Sequence, residues 1–394
     1  MHLFDMPAEV RVVEMAWPTR VVLGAGALSR LPQLVQRLGM ARPLVVTDAG
    51  VVRAGIAARV YGVLGRAGVP FAAFEGVEPN PTERDVEEGL AAYRREGCDG
   101  LVALGGGSPL DAAKLVQLRT THPPPLSRYD DAAGGDRYIE GGLPPLIAIP
   151  TTAGTGSEVS RSGVVTLADT GRKTVIFSPH LLPRAALCDP ELTVGLPPGP
   201  TAATGMDAFT HCLEAFVAEG FHPLADAVAL DGMRRVARSL PVAVREGRDV
   251  AARTDMMVAA MQGAMAFQKG LGAAHALAHA LTPLCGTHHG LANALVLPAV
   301  MDFNLSAAPE RLAQVAVALG EDAREGTGAL ARRAVERVRA LCLELGLPAS
   351  LRHAGVREEL LGEVAAKAYQ DASHRTNPRP CTEEDLFAIA RAAY

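Results

Sequence analysis

DGLVALGGGSPLDAAKLVQL (99–118) is the stretch on which the fold turns. Its first half is an unbroken apolar run that closes on Gly105, Gly106 and Gly107, and its second half has helical spacing. An apolar run without polar alternation fits a strand buried on both faces, the habit of parallel sheets. Glycines at the hand-over let the backbone approach a ligand closely, and a helix N-terminus offers free N–H groups to an anion. Ser108 stands where an N-cap is expected, with Pro109 at the first helical position and Asp111 placed to close a capping box. The expectation is a phosphate cradle at a strand end. A tight turn with an ordinary cap is the plain alternative.

Working outward, RPLVVTD (42–48), FAAFEGV (71–77) and PLIAIPTT (145–152) also read as strands. A helix is expected after the first of them, through about residue 66, and another across 82–97. Strands alternating with helices imply a parallel sheet covered on both faces. The Pro/Gly/Asp-rich stretch 121–144 is expected to be an exposed loop. Asp48 ends its strand, where a carboxylate can accept hydrogen bonds from a ribose 2′-hydroxyl. It would repel a 2′-phosphate, which favours NAD over NADP; its plain role is to cap the next helix. Gly24-Ala25-Gly26-Ala27-Leu28-Ser29 resembles GxGxxG without the third glycine, with Asp48 22 residues beyond Gly26. That incomplete motif is a weaker cradle than 105–108. No GxxxxGK[ST] occurs, which disfavours a P-loop ATPase.

After LPPGP (196–200) the texture becomes alanine-rich with helical periodicity. The expected division is an α/β dinucleotide-binding domain with a parallel sheet over 1–195 and an all-helical metal-binding domain over 196–394. Two domains suit a length of 394 residues, and 48% hydrophobic residues can fill both cores. The net charge of −5 comes from 38 basic and 43 acidic residues that are interspersed, with aromatics at 4%. Without a basic cluster or stacking aromatics, nucleic-acid binding is not indicated. The six cysteines show no CxxC, which fits reduced thiols in a cytoplasmic protein. Asp5, Glu9, Arg11 and Glu14 leave no apolar leader. Residues 270–301 contain no Asp, Glu, Lys or Arg. The histidines and Pro283 within them argue against a membrane span and for a buried helix pair lining a polar site.

The chemistry concentrates in the second half. Asp207 and His211 in GMDAFTHCLEAF stand four apart, so a helix presents both from one face. His275 and His279 in AAHALAHALTPLCGTHHGLAN repeat the spacing, and four of the eleven histidines fall within 275–289. Buried imidazoles without partners are costly. A carboxylate with several neutral imidazoles suits a divalent transition metal in a site open to substrate. Spacing alone leaves open which of His275, His279, His288 and His289 bind. Glu214 shares the face of Asp207 and His211 and could replace either, or stand behind them. His2, His122, His180, His222, His353 and His374 read as ordinary core or surface residues.

At these residues the chain resembles the iron-containing (group III) alcohol dehydrogenase family. The likeness runs from about residue 18 to 394 through EGVEPNPT (75–82), ALGGGSPLDAAK (103–114), AIPTTAGTGSEVS (148–160), DPELTVGLPP (189–198), TGMDAFTHCLEAF (204–216), GLGAAHALAHAL (270–281), HGLANALVLPAVMDFN (289–304) and HRTNPRP (374–380). The resemblance implies the dehydroquinate synthase-like fold, with the site in a cleft between the domains. It implies metal binding by Asp207, His211, His275 and His289, and leaves His279 as a proton relay beside the nicotinamide. It further implies cofactor contacts from Asp48, Asn80, Gly106, Gly107, Ser108, Asp111, Thr151, Thr152 and Lys173, and assembly into homodimers or larger homo-oligomers. Where many relatives have Pro-His-Gly, this chain has His288-His289-Gly290.

The expected activity is interconversion of a small alcohol and its aldehyde or ketone by hydride transfer with NAD(H). Fe2+ is favoured by the resemblance, and Zn2+ also suits the donors. Within the fold, a glycerol-dehydrogenase-like, maleylacetate-reductase-like or dehydroquinate-synthase-like enzyme is the rival. From another class, a metallohydrolase would leave the glycine cradle idle, and a non-catalytic binding module would need the polar cluster to be structural.

Overall fold

Every residue of Gly100–Gly105 is buried, and this strand lies inside a six-stranded parallel sheet. The computed structural model describes residues 19–169 and 171–394; Asp5, Glu9, Arg11 and Glu14 lie outside them. The strands are β1 (Arg20–Leu23), β2 (Pro43–Val46), β3 (Ala72–Phe74), β4 (Gly100–Gly105), β5 (Leu146–Pro150), β6 (Ser162–Thr166), β7 (Lys173–Phe177) and β8 (Ala185–Cys188). The sheet order is β1-β8-β5-β4-β2-β3, while β6 and β7 form a separate antiparallel hairpin. Helices α1 (Leu31–Arg37), α2 (Ala49–Arg53), α3 (Ile56–Arg66), α4 (Glu83–Arg95) and α5 (Gly107–Arg119) alternate with the strands. Two apolar cores, one on each face, hold the sheet: one includes Val45, Val102, Leu104 and Ile147, the other Leu44, Leu101, Ala103 and Leu146.

The strand order creates a switch point. From β2 the chain passes to β3 on one side, whereas from β4 it passes to β5 on the other. In open parallel sheets the crevice beyond the carboxyl ends of such a diverging pair is where ligands bind. Asp48 follows β2 and the glycine turn follows β4, so both stand there.

Several expectations need correction. The helix after β2 is two helices, because Gly55 adopts φ 74° between them. The helix after β4 starts two residues earlier than Ser108 suggested: Gly106 is its N-cap and no side chain caps it. Gly105, at φ 149°, turns the chain, which lets Gly107 enter the helix at once. The stretch 121–144 is not simply an exposed loop. It winds through short 3-10 turns, and Leu126 and Tyr129 within them and Ile139 and Leu143 after them join the core beneath α5.

The second unit comprises Leu196–Tyr394 together with Ala153–Thr155. Its helices are α6 (Pro198–Val217), α7 (Pro223–Arg245), α8 (Val250–Ala266), α9 (Ala273–Cys285), α10 (His289–Asn304), α11 (Pro309–Ala318), α12 (Thr327–Glu344), α13 (Leu361–Gln370) and α14 (Glu383–Ala392). Among its described residues there is no strand. α6 is buried all round from Gly205 to Val217, the mark of a central helix, and packs on α7, α8 and α10. The uncharged stretch 270–301 is the pair α9 and α10, interrupted by Pro283 and Pro298. Among the described residues, no helix is long and apolar enough to cross a membrane.

Candidate active site

In the α/β unit the residues expected to hold a dinucleotide gather around the glycine turn. Asn80, in the left-handed region at φ 57°, donates its N–H to Ser108 Oγ at 3.3 Å, and its Oδ1 accepts from Lys173 Nζ at 3.2 Å. These three are thus joined across the N-terminus of α5. Thr151 N–H donates to the Gly105 carbonyl at 2.9 Å, and a Cβ on Gly106 would lie 3.4 Å from Thr152 Oγ1, so the turn and the end of β5 are neighbours. Asp48 caps α2 by accepting from Val51 N–H at 2.8 Å.

Asp111 is differently placed. Its carboxylate faces inward, accepting from Ser157 Oγ at 2.6 Å and from Val164 N–H at 3.2 Å, and it closes no capping box with Ser108. Lys114, with no exposed surface, donates to Ser157 Oγ and to the Ser162 carbonyl, both at 2.8 Å. Burial pushes the Lys114 ammonium down to about 8, against the pull of Asp111 and Glu158, and pushes Glu158 up to about 7. This buried cluster braces the helix behind the turn.

In the helical unit, three helices each present two polar side chains four residues apart. They are Asp207 and His211 on α6, His275 and His279 on α9, and His289 and Asn293 on α10. Ligand atoms of Asp207, His275 and His289 all lie within 4.8 Å of one another, close enough to share a cation. Nε2 of His275 and of His289 stand 3.8 and 3.5 Å from Asp207 Oδ1. His211 falls outside that trio. Its ring stacks on His275 at 4.5 Å, and its buried Nδ1 has no hydrogen-bond partner. Burial pushes the His211 ring down to about 4, against the charge of Asp207, which keeps it neutral and able to donate a lone pair.

Residues behind the trio aim it. Glu214 accepts from His275 Nδ1 at 2.6 Å and from the Ala274 N–H at 2.7 Å. Burial works against charge on His275, but the hydrogen bond and charge of Glu214 outweigh it and raise the ring above its ordinary value. With Nδ1 so engaged, Nε2 is the atom turned toward Asp207. Asn293 Nδ2 donates to Asp207 Oδ1 at 2.9 Å and lies 3.3 Å from Nε2 of both His275 and His289. Three acceptors thus converge on an amide that has two protons, while Asn293 Oδ1 is buried without a partner. A cation would satisfy all three acceptors, so the donor set fits a divalent metal.

His279 stands beside this centre. Its ring stacks on His289 at 5.2 Å, and its Nδ1 pairs with Asp371 Oδ2 at 2.8 Å. The side chains of His279 and His289 are 21% and 23% exposed, against 1% for His275, so the cluster is open on their side. His288 is exposed at the start of α10. Sequence reasoning missed Asn293 and Asp371. The first was findable, because it repeats the four-residue spacing from His289; Asp371 comes from 92 residues away.

Comparison with known proteins agrees on both halves. Residues 18–190 match the family described as iron-containing alcohol dehydrogenase, and residues 201–394 match its C-terminal domain. The chain is 45% identical to a 4-hydroxybutyrate dehydrogenase of Cupriavidus necator, over 93% of this chain and 96% of that one. It is 35% identical to an NAD-dependent methanol dehydrogenase of Bacillus methanolicus, over 95% and 98%. A solved 1,3-propanediol oxidoreductase superposes with a TM-score of 0.94 at 39% identity, covering 98% of this chain and all of that one (100%). With both domains matched and the donor set in place, the chain belongs to the iron-containing alcohol dehydrogenase family and is an oxidoreductase enzyme.

Proposed function

We propose that this chain interconverts a short alcohol and its aldehyde or ketone by hydride transfer with NAD(H). The α/β domain, 1–195, binds the dinucleotide, and the helical domain, 196–394, binds the metal. The observation that carries the reading is the convergence of Asp207, His275 and His289 from three helices. With His211 they would hold Fe2+, and Zn2+ is the second choice for the same donors. When bound, the cation supplies Lewis acidity toward the substrate oxygen and the nicotinamide supplies the hydride acceptor or donor.

The chain's own groups do the rest. Free N–H groups at Gly106, Gly107 and Ser108 receive the pyrophosphate at the start of α5. Asn80, Lys173, Thr151 and Thr152 line it, while Asp111 braces the turn from behind. Asp48 accepts from the ribose 2′-hydroxyl, and its charge makes NADP the poorer cofactor. Glu214 and Asn293 hold His275 and Asp207 in place. His279, through Nε2, takes the hydroxyl proton in oxidation and returns it in reduction.

4-Hydroxybutyrate and 1,3-propanediol, named for two similar proteins, are short primary alcohols with a second polar end. Two-ended short primary alcohols are the substrate class. Working form and place are a homodimer or larger homo-oligomer in the cytoplasm. The test is a spectrophotometric screen of ω-hydroxy acids, diols and simple alcohols with NAD and NADP, after anaerobic loading with Fe2+ or Zn2+. The fastest turnover is expected with NAD and a two-ended short alcohol. A loaded chain that neither binds NADH nor turns over any alcohol would contradict this reading.

Two consequences can be measured without turnover. Glu214→Gln weakens the grip on His275, and metal affinity should fall by about 10–100-fold in a chelator competition. Metal affinity should also fall with acid. Because the His275 ring is raised, protons begin to compete at a higher pH than for a free imidazole, and binding is lost as pH drops through that range. Affinity independent of pH between about 5 and 8 would count against His275 as a ligand.

A further inference from the structure

His279 is held by a carboxylate through one ring nitrogen, and the hold is specific. Its Nδ1 lies 2.8 Å from Asp371 Oδ2. The carboxylate is the acceptor in that bond, so the ring's proton belongs on Nδ1 and its lone pair on Nε2. Burial works against the charge of Asp371, but the His279 ring and the hydrogen bonds from His279 and Ser373 outweigh it and hold the carboxyl well below the usual range. The bond geometry, with Nδ1 facing a carboxylate oxygen, makes Asp371 the acceptor.

Asp371 is itself fixed. It follows α13, and its Oδ1 accepts from the Ser373 N–H at 2.8 Å to cap the short 3-10 turn Ala372–Thr376. That turn is fastened to the segment before α9, where Thr376 Oγ1 donates to the Leu271 carbonyl at 2.8 Å, and to the segment after α6, where Glu219 N–H donates to the Thr376 carbonyl at 3.0 Å. Asn377 Oδ1 accepts from Ala273 N–H at 3.4 Å. A carboxylate anchored this way cannot follow the ring if it swings. Across the ring, His289 is stacked at 5.2 Å with an interplanar angle of 14°, which leaves the imidazole one plane to occupy.

We propose that Asp371 is the positioning residue for proton transfer, fixing His279 in the Nδ1–H tautomer so that Nε2 is the basic atom presented to the substrate hydroxyl. The proposal rests on the dehydrogenase reading for its consequence, but not for its geometry. In alcohol oxidation the hydroxyl O–H bond breaks and its proton passes to His279 Nε2, the C–H bond of the hydroxyl-bearing carbon breaks and its hydride passes to NAD, and the C=O bond forms. Asp371 takes no proton at any stage.

The test has two arms. In the first, the Zn2+-loaded chain carrying nitrogen-15 histidine is studied by NMR, with His279→Gln used to assign the ring. The expected wild-type signal is a protonated Nδ1, and Asp371→Ala should shift the ring toward the other tautomer or a mixture. A wild-type ring protonated on Nε2 would overturn the proposal, whatever the chain turns over. In the second arm, kcat and KM are measured with NAD and 1,3-propanediol as probes. Asp371→Asn and Asp371→Ala should lower kcat by about 10–100-fold, part of the general-base contribution. KM and metal content should stay within about twofold, and Asp371→Glu should recover part of the loss. An unchanged kcat, or one that falls only in step with lost metal, would make Asp371 a mere tether between α13 and α9 and overturn the proposal. If no alcohol is turned over at all, the proposed substrate class has failed and the NMR arm still decides the tautomer.

Discussion

His275→Ala yields a folded chain with less than about a tenth of its metal and turnover lower by about three orders of magnitude. The size follows from losing several kcal/mol of Lewis-acid stabilisation at about 1.4 kcal/mol per decade of rate. His275 is 1% exposed and has both nitrogens committed, Nδ1 to Glu214 and Nε2 toward Asp207. Its removal also leaves the Glu214 carboxylate buried without the ring. The fold should lose about 1–3 kcal/mol on that account. Elemental analysis, circular dichroism and steady-state rates on the same preparation separate these effects. Full metal occupancy in the variant would refute the assignment.

Gly290→Ala should do nearly as much damage without touching a ligand. Gly290 follows His289 where α10 presses on α6, and a Cβ there would run into the Ala203 carbonyl oxygen and lie 3.2 Å from Asp207 Cβ. The obstacle is backbone, which cannot yield as a flexible side chain would. α10 must therefore move off α6, carrying His289 and Asn293 away from Asp207. Overpacking of this kind costs about 1–3 kcal/mol, and displaced ligands should lower metal affinity by about tenfold or more. Gly328→Ala is the control. It lies in α12 with nothing within 4 Å of its would-be Cβ, and should be neutral or slightly stabilising. Denaturant midpoints and metal titrations of the two variants make the comparison. Equal behaviour would contradict the close approach as the cause.

Some of this was readable from residues alone, for physical reasons. Apolar runs such as those at 43–46, 100–105 and 146–150 become fully buried strands because parallel strands bury both faces. The four-residue spacing of Asp207/His211 and His275/His279 survives into the structure because helices preserve it. The hairpin of β6 and β7 was missed, since five-residue strands with one buried face carry a weak signal. The early start of α5 depends on Gly105 reaching φ 149°, which residue identity permits but does not announce. The inward turn of Asp111 depends on Ser157, 46 residues away, and the His279–Asp371 pair spans twice that distance. Such partnerships are made by tertiary packing, and local pattern is blind to them.

The central claim is that one divalent cation is held by groups from α6, α9 and α10. Anomalous diffraction from crystals of the Zn2+-loaded chain, collected on both sides of the zinc edge, tests it directly. The expected map has a single strong peak about 2.0–2.2 Å from a carboxylate oxygen of Asp207 and from Nε2 of His275 and His289. A fully loaded chain whose peak lies elsewhere, or is spread over surface histidines, would contradict the account.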